Sequence, residues 1–384
     1  MITKDSPFPL YVQLAQYFRD KVRDGIFKPN SAIPSEFEIA REFNISRSTV
    51  RQAILELVHE GILVRVSGKG TYVSSDPFKQ KFLARSGVIG LIQPYLRDSF
   101  LTLITLSIES TTRTKGYQLM LSITDNKYEQ HQRLVRQLLS KKVDGLIIFL
   151  PDNYPLDEIT ISLVEQRFNF VLIDRYIPNI DVSYVVSDNF GGAYQVVEHL
   201  IKLEHHRIGM VTRSSLQTTS VRDRVDGYKR ALLDYGLPFD QSLVCDRLKT
   251  SASELEFFGT PRGNSQHDVE VIVEFLKNKE RPSAIFAIND LVALAVVEAA
   301  SLVGLRIPDD LALVGFDDID IVSHLETPLT TVAQDKYAIG VQATELLIDK
   351  IEGREKGNRQ IVIPTKLIVR RSTASACEAR QVAN

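Results

Sequence analysis

The chain contains 384 residues, which is too long for one compact core and long enough for two or three domains. Its 44% hydrophobic residues, 24% charged residues and formal net charge of −2 are typical of a globular protein and argue against a general nucleic-acid coat protein. The sequence has no apolar run of the roughly 18 residues needed to cross a bilayer, and no signal-peptide apolar region at its N-terminus. We therefore expect a cytoplasmic protein. Cys245 and Cys377 indicate neither a disulfide framework nor a metal site, which fits a reducing compartment.

The first predicted elements are two helices. Apolar residues recur at helical spacing over residues 10–24, and Gly25 ends this first helix. A short second helix follows Ser35, a good N-cap, and Glu38 stands three residues later, as in a capping box. Asn44 tolerates the left-handed conformation and is predicted to form the turn that follows.

A third helix begins after Ser46, which is its predicted N-cap. The apolar residues of this helix recur at i, i+3, i+4 and i+7 and are predicted to face inward: Val50, Ala53, Ile54 and Leu57. The opposite face carries hydrogen-bonding side chains, Arg47, Ser48, Arg51 and Gln52. Because arginine binds guanine with two donors and hydroxyls bind phosphates or base edges, we interpret this helix as the recognition helix of a helix-turn-helix. A pair of capped surface helices is the alternative.

A β-hairpin is predicted directly behind this helix. Residues 62–73 form a strand, a Gly-Lys-Gly turn and a second strand, which is the pattern of a wing. Gly68, Lys69 and Gly70 at its tip would allow close approach to a DNA groove. A phosphate-binding P-loop is excluded because Leu63 occupies the position of its first glycine.

Residues 8–73 resemble the winged-helix domain of the GntR family. The matching motifs are the Pro-Leu-Tyr start, the Ile-Pro-Ser-Glu segment before the second helix, the Ser-Arg-Ser-Thr-Val-Arg recognition segment and the Gly-Lys-Gly wing. The resemblance implies DNA contacts in the helix and the wing. With Gln52 added from the exposed helical face, the candidate DNA-binding residues are Glu36, Arg47, Ser48, Thr49, Arg51, Gln52, Gly68, Lys69 and Gly70. Phe37 departs from the family, because some members have arginine at that position.

A polar, proline-marked stretch at residues 76–86 is predicted to be a linker. From residue 88 onward, short apolar strands alternate with amphipathic helices in two successive sets, which indicates parallel α/β lobes with a cleft between them. In open α/β sheets, ligands bind at the carboxyl ends of the strands. The loops expected to line the cleft therefore follow Gln93, Leu150, Asp174, Val211 and Ile288.

Several of these loops carry side chains suited to a sugar. Asp174 with Arg175, Arg222 with Arg224, and Asp290 are polar groups able to bind vicinal hydroxyls. Each has an alternative role, because Asp290 could cap the helix that follows it and Arg224 could belong to a surface ion pair. For Phe100, considered as an aromatic platform, the alternative is a place in the core.

Residues 87–374 are similar to the effector-binding domain of the LacI/GalR family, over stretches that include VIGLIQP, KKVDGLIIF, FVLIDR, PSAIFAINDLVALAVV and LRIPDDLALVGFDDI. The resemblance implies an α/β fold: an N-terminal winged helix-turn-helix plus a two-lobed, periplasmic-binding-protein-like parallel α/β domain. With Arg222 added from its polar loop, the candidate effector-binding residues are Ser99, Phe100, Asp174, Arg175, Asp188, Arg222, Arg224 and Asp290. Residues 250–266 depart from the family pattern, and Phe257 and Phe258 are candidates for its aromatic platform.

The combination of these two domains resembles the AraR-type family of arabinose repressors. It implies a DNA-binding domain at 1–75, a linker at 76–86 and an effector-binding and dimerisation domain at 87–376. We expect a homodimeric repressor of carbohydrate-utilisation genes that binds a palindromic operator and is released by a small sugar such as arabinose. We expect no catalytic residues, cofactor, metal or membrane partner. The alternatives are a sugar-metabolising enzyme with a DNA-binding appendage and a carbohydrate-binding protein of the periplasmic type.

Overall fold

The computed structural model describes residues 9–59, 61–66, 70–75, 85–96, 99–213, 217–249 and 265–373. The chain divides into two compact units, Met1–Ser86 and Gly87–Asn384. Most of the predicted linker (residues 76–84) lies outside the described residues, as do the wing-tip residues Gly68 and Lys69.

The first unit contains the predicted helix-turn-helix. Its helices are α1 (Leu10–Arg23), α2 (Glu36–Glu42) and α3 (Arg47–His59). The Ser35 hydroxyl accepts a hydrogen bond from the Glu38 amide, and the Glu38 carboxylate accepts one from the Ser35 amide, which confirms the capping box. Asn44 has a φ of 52°, and Ser46 accepts a hydrogen bond from the Thr49 amide, so the predicted turn and N-cap are also confirmed.

The wing is an antiparallel hairpin of β1 (Leu63–Val66) and β2 (Gly70–Val73). The segment before α2 is tied to β2, because the Val73 amide donates to the Ser31 carbonyl and the Ile33 amide donates to the Thr71 carbonyl. The predicted inward residues of α3 are fully buried against α1, α2 and β1, together with Leu14, Phe18, Ile39 and Leu63. This shared core fixes the recognition helix relative to the wing.

The second unit contains two parallel sheets. The first sheet has the order β13-β7-β6-β5-β3-β4, and its strands are β3 (Val88–Gln93), β4 (Gln118–Ile123), β5 (Gly145–Phe149), β6 (Phe170–Ile173), β7 (Tyr184–Ser187) and β13 (Gln360–Ile363). The second sheet has the order β11-β10-β8-β9, and its strands are β8 (Ile208–Arg213), β9 (Val244–Leu248), β10 (Ala284–Ala287) and β11 (Ala312–Val314).

Helices connect these strands, as the alternating pattern predicts. They are α4 (Ser99–Thr114), α5 (Tyr128–Ser140), α6 (Glu158–Glu165), α7 (Asn189–Lys202), α8 (Thr219–Asp234), α9 (Ser265–Leu276), α10 (Asp290–Leu302) and α11 (Lys336–Glu352), with short 3₁₀ helices at Gln241–Leu243 and Asp320–Ser323. No helix in the described part of the chain is long and apolar enough to cross a membrane.

The two sets of strands are not strictly successive in the sequence, which corrects the predicted arrangement. After the second sheet, the chain returns through α11 to the first lobe, where β13 pairs in parallel with β7. Two strands near these crossings, β12 (Thr331–Gln334) and β14 (Thr365–Ile368), form a small antiparallel sheet that the periodicity analysis missed. The lobes are therefore joined by several adjacent segments, and the Asp188 amide of one segment donates to the Ile363 carbonyl of another.

Helices α7 and α8 approach closely at Gly227. A Cβ atom at this position would collide with the Phe190 carbonyl oxygen and would lie 3.1 Å from the Cβ of Ala193. The obstacle is backbone, which cannot move aside as a flexible side chain could. Only glycine therefore fits at this crossing.

We predict that Gly227→Ala lowers the free energy of unfolding by about 1–3 kcal/mol, because α7 and α8 must separate to admit the methyl group. Chemical denaturation of the whole chain measures the change. The matched control is Gly357→Ala, whose new Cβ would have the Glu355 carboxylate as its nearest neighbour at 3.6 Å. We expect the control to change stability by less than about 0.5 kcal/mol. Equal effects of the two substitutions would contradict the close-packing argument.

Candidate functional site

The exposed face of α3 presents the polar side chains predicted for DNA recognition. Arg47, Ser48, Arg51 and Gln52 are exposed, and Thr49 is half-buried. The Ser46 hydroxyl lies 2.8 Å from the Ser48 hydroxyl and 2.7 Å from the Thr49 hydroxyl, so the first turn of the helix carries a cluster of hydroxyl groups. This face has a hydrogen-bonding capacity that matches phosphates and base edges.

Glu36 links this face to the wing. Its carboxylate accepts hydrogen bonds from Arg51 at 3.1 and 3.2 Å and from Arg65 of β1 at 2.7 Å. Arg65 was not predicted from the sequence, although its polar side chain on the outward side of the first wing strand is a signal that could have identified it. Gly70 begins β2 with a φ of 110° and has open space around its Cα. Phe37, where some GntR members have arginine, is 64% exposed.

In the second unit, the carboxyl ends of the two sheets meet at Asp152, which the sequence analysis did not select. Asp152 follows β5 of the first sheet and pairs with Arg175 after β6 at 2.8 Å and with Arg213 at the end of β8 at 3.0 Å. The Asn126 amide donates to the same carboxylate at 3.0 Å. One carboxylate thus connects two loops of the first lobe with a strand of the second.

Asp174 and Asp152 flank Arg175 but have opposite pKa shifts. Burial raises the pKa of Asp174 to about 6, and the positive charges of Arg175 and Arg224, which lower it, do not offset that effect. Burial also disfavours the charged form of Asp152, but Arg175, Arg213 and the Asn126 hydrogen bond outweigh it and lower the pKa of Asp152 to about 2. The nearest Asp174–Arg175 pairing is longer, at 3.4 Å. Asp174 is therefore the more easily protonated of these two neighbouring carboxylates.

Arg224 lies in the interior, so the alternative of a surface ion pair is wrong. Its guanidinium lies 3.7 Å from the centre of the Phe316 ring and donates to Asn189 and to the Ile288 carbonyl, both at 2.8 Å. It also pairs with Asp317 at 3.2 Å. These contacts join α8 to the start of α7 and to the loops after β10 and β11. Arg224 therefore holds these segments together at the carboxyl end of the second sheet.

Asp290 is fully buried at the start of α10, but it does not cap that helix. Asn289 is the N-cap, because its side chain accepts the Val292 amide at 2.9 Å. The Asp290 carboxylate accepts the Thr331 hydroxyl at 2.6 Å and the Ile319 amide at 2.9 Å. Burial, with Asp317 nearby, raises the pKa of Asp290 well above its usual value. In this structure both of its oxygens have protein partners.

A second group of contacts spans the lobes beside Arg222. The Arg222 guanidinium donates to the Tyr176 hydroxyl at 2.9 Å, and this hydroxyl donates to Asp223 at 3.2 Å. The Tyr176 amide donates to the Thr219 hydroxyl at 3.1 Å. Tyr176 follows β6, whereas the other three residues belong to α8. Arg222 was predicted from the sequence, whereas Tyr176, which directly follows the predicted Asp-Arg pair, was not.

Three other candidates have structural partners. Phe100 is buried in the core, as its alternative role predicted. The Asp188 carboxylate caps α7 by accepting the Gly191 amide at 2.8 Å. The Ser99 hydroxyl accepts the Asp320 amide at 3.4 Å. Phe257 and Phe258 lie outside the described residues.

The described residues contain no cluster of three or more His, Cys, Asp or Glu side chains arranged to hold a metal ion. Cys245 is buried with a free thiol, and burial raises its pKa to about 11. Cys377 lies outside the described residues.

Comparison with known proteins identifies both domains. The profile "Bacterial regulatory proteins, gntR family" matches residues 10–73, and the profile "Periplasmic binding protein-like domain" matches residues 197–373. An arabinose metabolism transcriptional repressor of Geobacillus stearothermophilus is 34% identical over 96% of this chain and 99% of the relative. Another, from Halalkalibacterium halodurans, is 30% identical over 97% of this chain and 99% of the relative. The chain belongs to this family of transcriptional repressors.

Solved structures agree with this assignment. The transcriptional regulator CelR in complex with cellobiose is 26% identical, has a TM-score of 0.66 and covers 88% of this repressor and 100% of that chain. A LacI family regulator of Enterococcus faecium with bound ribose is 27% identical, has a TM-score of 0.62 and covers 75% of this repressor and 99% of that chain. The predicted fold class is confirmed, and the two alternatives, an enzyme and a periplasmic-type binding protein, are wrong because the full-length relatives are repressors.

We predict that Asp174→Asn removes a pH-dependent contribution to stability. Because the pKa of Asp174 is raised in the folded state, its favourable contribution is complete below its usual pKa and is lost as pH rises through about 6. The stability of the unchanged repressor relative to Asp174→Asn should therefore fall by about 1–3 kcal/mol between pH 4.5 and 7.5. Denaturant unfolding at a series of pH values measures this difference.

Asp152→Asn is the matched control for this prediction. The folded-state pKa of Asp152 is lowered to about 2, so its contribution is lost only as pH falls below its usual value. The stability difference for Asp152→Asn should be flat over the same range. A difference for Asp174→Asn that stays constant or rises with pH would contradict the assigned shift.

Proposed function

We propose that this repressor is a homodimer that binds a palindromic operator and is released by arabinose or a closely similar small sugar. The observation that carries the proposal is the match of the whole chain to full-length arabinose metabolism repressors. The two sites described above support it, because a capped recognition helix and a polar cleft are the parts that an effector-controlled repressor needs. A protein with this role acts where the chromosome is, so we place it in the cytoplasm.

On the DNA side, we assign recognition to the exposed face of α3 and to the wing. The N-terminal half of a recognition helix enters the major groove, and Arg47 and Arg51 lie on that half. Ser48, Thr49 and Gln52 add shorter hydrogen-bonding groups beside them. The wing residues Gly68, Lys69 and Gly70 remain proposed groove contacts. Residues 1–75 contain ten Lys and Arg and eight Asp and Glu, so the DNA-binding unit has a net charge close to zero. Its affinity for DNA therefore depends on individual side chains that are positioned to contact the DNA.

For the dimer, we propose an interface on the first lobe of the effector domain. Helix α4 exposes Leu103 and Leu106, and the neighbouring edge strand β4 exposes Leu121. Among the described residues β4 is the last strand of its sheet, and exposed leucines beside such an edge favour association with a second copy. Two recognition helices related by a two-fold axis read an inverted repeat, which is why we expect a palindromic operator.

For the effector, we assign the cleft at the carboxyl ends of the two sheets. Asp174, Arg175, Arg222 and Arg224 contribute polar groups there, and Asp152, Arg213 and Tyr176 join them from the geometry. Ser99, Phe100, Asp188 and Asp290 remain candidates that shape the site from the surrounding core and caps. Hydroxyl-rich ligands suit such a set because each hydroxyl both donates and accepts a hydrogen bond.

The experiment is operator binding measured by fluorescence anisotropy, with DNA from the region upstream of the repressor's own gene. L-arabinose is compared with ribose, xylose, galactose and cellobiose. Release by arabinose alone supports the proposal, and release by another sugar replaces arabinose as the effector. Tighter operator binding with a sugar would mean corepression and would overturn the proposed induction.

We predict that Arg47→Ala abolishes the preference for the operator over unrelated DNA, with a loss of about 1–3 kcal/mol in discrimination if Arg47 binds guanine with two donors. Sugar binding, measured by calorimetry, should not change. Arg23→Ala is the control, because Arg23 is an exposed arginine of the same unit that pairs with Asp20 on α1. Unchanged operator preference in Arg47→Ala would remove Arg47 from the recognition surface.

A further inference from the structure

One carboxylate in the DNA-binding unit holds arginines from two different elements. Glu36, the first residue of α2, accepts Arg51 of α3 with one oxygen and Arg65 of β1 with the other. The Glu36 side chain is 22% exposed, whereas the side chains of Arg51 and Arg65 are 57% and 41% exposed. The carboxylate therefore lies beneath two guanidinium groups that face solvent.

The outer end of the Arg51 guanidinium is available to bind a ligand. Its Nε and Nη2 atoms both donate to the same Glu36 oxygen, at 3.2 and 3.1 Å. An arginine has five N–H donors in a planar fork, so the Nη1 group and the second hydrogen of Nη2 remain at the outer end. Two donors at that end match O6 and N7 of guanine. Glu36 thus orients Arg51 for end-on recognition of a base.

Arg65 has more N–H donors available for a ligand than Arg51 has, because it donates one hydrogen bond to Glu36 where Arg51 donates two. Its Nη2 atom donates to the second Glu36 oxygen at 2.7 Å. Arg65 pairs in register with Thr71 across the hairpin, and β2 is in turn bonded to the segment before α2. The backbone that carries Arg65 is therefore fixed relative to α2. A single negative charge between two arginines leaves this group with a net charge of about +1, which suits a neighbouring phosphate.

We propose that Arg65 is a further operator-contacting residue, which binds a backbone phosphate beside the base pairs read by Arg51 and is positioned by Glu36. The proposal rests on the proposed operator binding and adds to it a residue outside the recognition helix and the wing tip. Phosphate contacts position a protein on DNA without reading sequence, whereas base contacts specify it. Arg65 and Arg51 should therefore respond differently to salt and to DNA sequence.

The test measures the salt dependence of binding for Arg65→Gln. Operator affinity is measured by anisotropy at a series of KCl concentrations, for the operator and for an unrelated duplex of equal length. The slope of log K against log salt concentration is negative, and losing one phosphate contact reduces its magnitude by about 0.9. A dimer with two DNA-binding units should therefore show a slope that is smaller in magnitude by about two. Affinity should fall by a similar factor on both DNAs, which leaves the ratio between them unchanged.

Two further variants make this test decisive. Arg65→Lys keeps the cation and should retain the salt slope. Arg19→Gln is the matched control, because Arg19 is an ion-paired arginine of the same unit that binds Glu56 at 3.1 Å between α1 and α3. Arg19→Gln removes the same charge and should leave the slope unchanged. Thermal unfolding of each variant identifies any that fails to fold, and Arg65→Met, which also lacks the cation, replaces Arg65→Gln in that case.

The variant Glu36→Gln tests the positioning of Arg51 by Glu36 separately from the phosphate contact of Arg65. If Glu36 aims Arg51, the ratio of operator to unrelated binding should fall about tenfold, while affinity for unrelated DNA stays equal or rises because a negative charge is lost. An unchanged ratio would overturn the positioning role of Glu36. An unchanged salt slope in Arg65→Gln, with normal operator binding by the unchanged repressor, would overturn the phosphate contact alone. Absence of operator binding by the unchanged repressor would instead reject the proposed function on which this inference rests.

Discussion

The ion pairs of Asp152 connect the two lobes of the effector domain at the place where their sheets end. Asp152 is held by Arg175 from its own lobe and by Arg213 from the other. All three side chains are largely buried, with 12–16% exposed, so each charge depends on its partners for the solvation that water no longer provides. Separating the lobes would break the Arg213 pairing and return both groups to water. The relative position of the lobes is therefore linked to the charges that line the cleft.

The same principle organises the rest of the cleft. Arg224 pairs with Asp317, and Arg222 pairs with Asp223. A buried ion pair is weak evidence for overall stability, but the loss of one member leaves an unpaired charge, which is strongly unfavourable. Such a network permits a small number of arrangements and penalises the intermediate ones.

The contrast between local and distant signals explains how much could be predicted from the sequence. The caps at Ser35 and Ser46 and the left-handed Asn44 involve residues a few positions apart, and these features were predicted correctly. The return of β13 to the first sheet pairs Gln360 with Tyr184, and a one-dimensional pattern contains no signal for that partner. Asp152 was missed for the same reason, because only folding brings Arg175 and Arg213 beside it.

These observations also bear on how an effector signal leaves the cleft. Several crossing segments join the lobes, and Asp188 and Asn189 stand where the first of them enters α7. Arg224 donates to the Asn189 side chain, so its guanidinium connects the cleft to that crossing segment. A sugar alters operator affinity by no more than the difference between its affinities for the two lobe arrangements, typically about 1–3 kcal/mol. On the proposed function, the cross-lobe pairs around Asp152 and Tyr176 are contacts that would differ between the two lobe arrangements and so contribute to that difference in affinity.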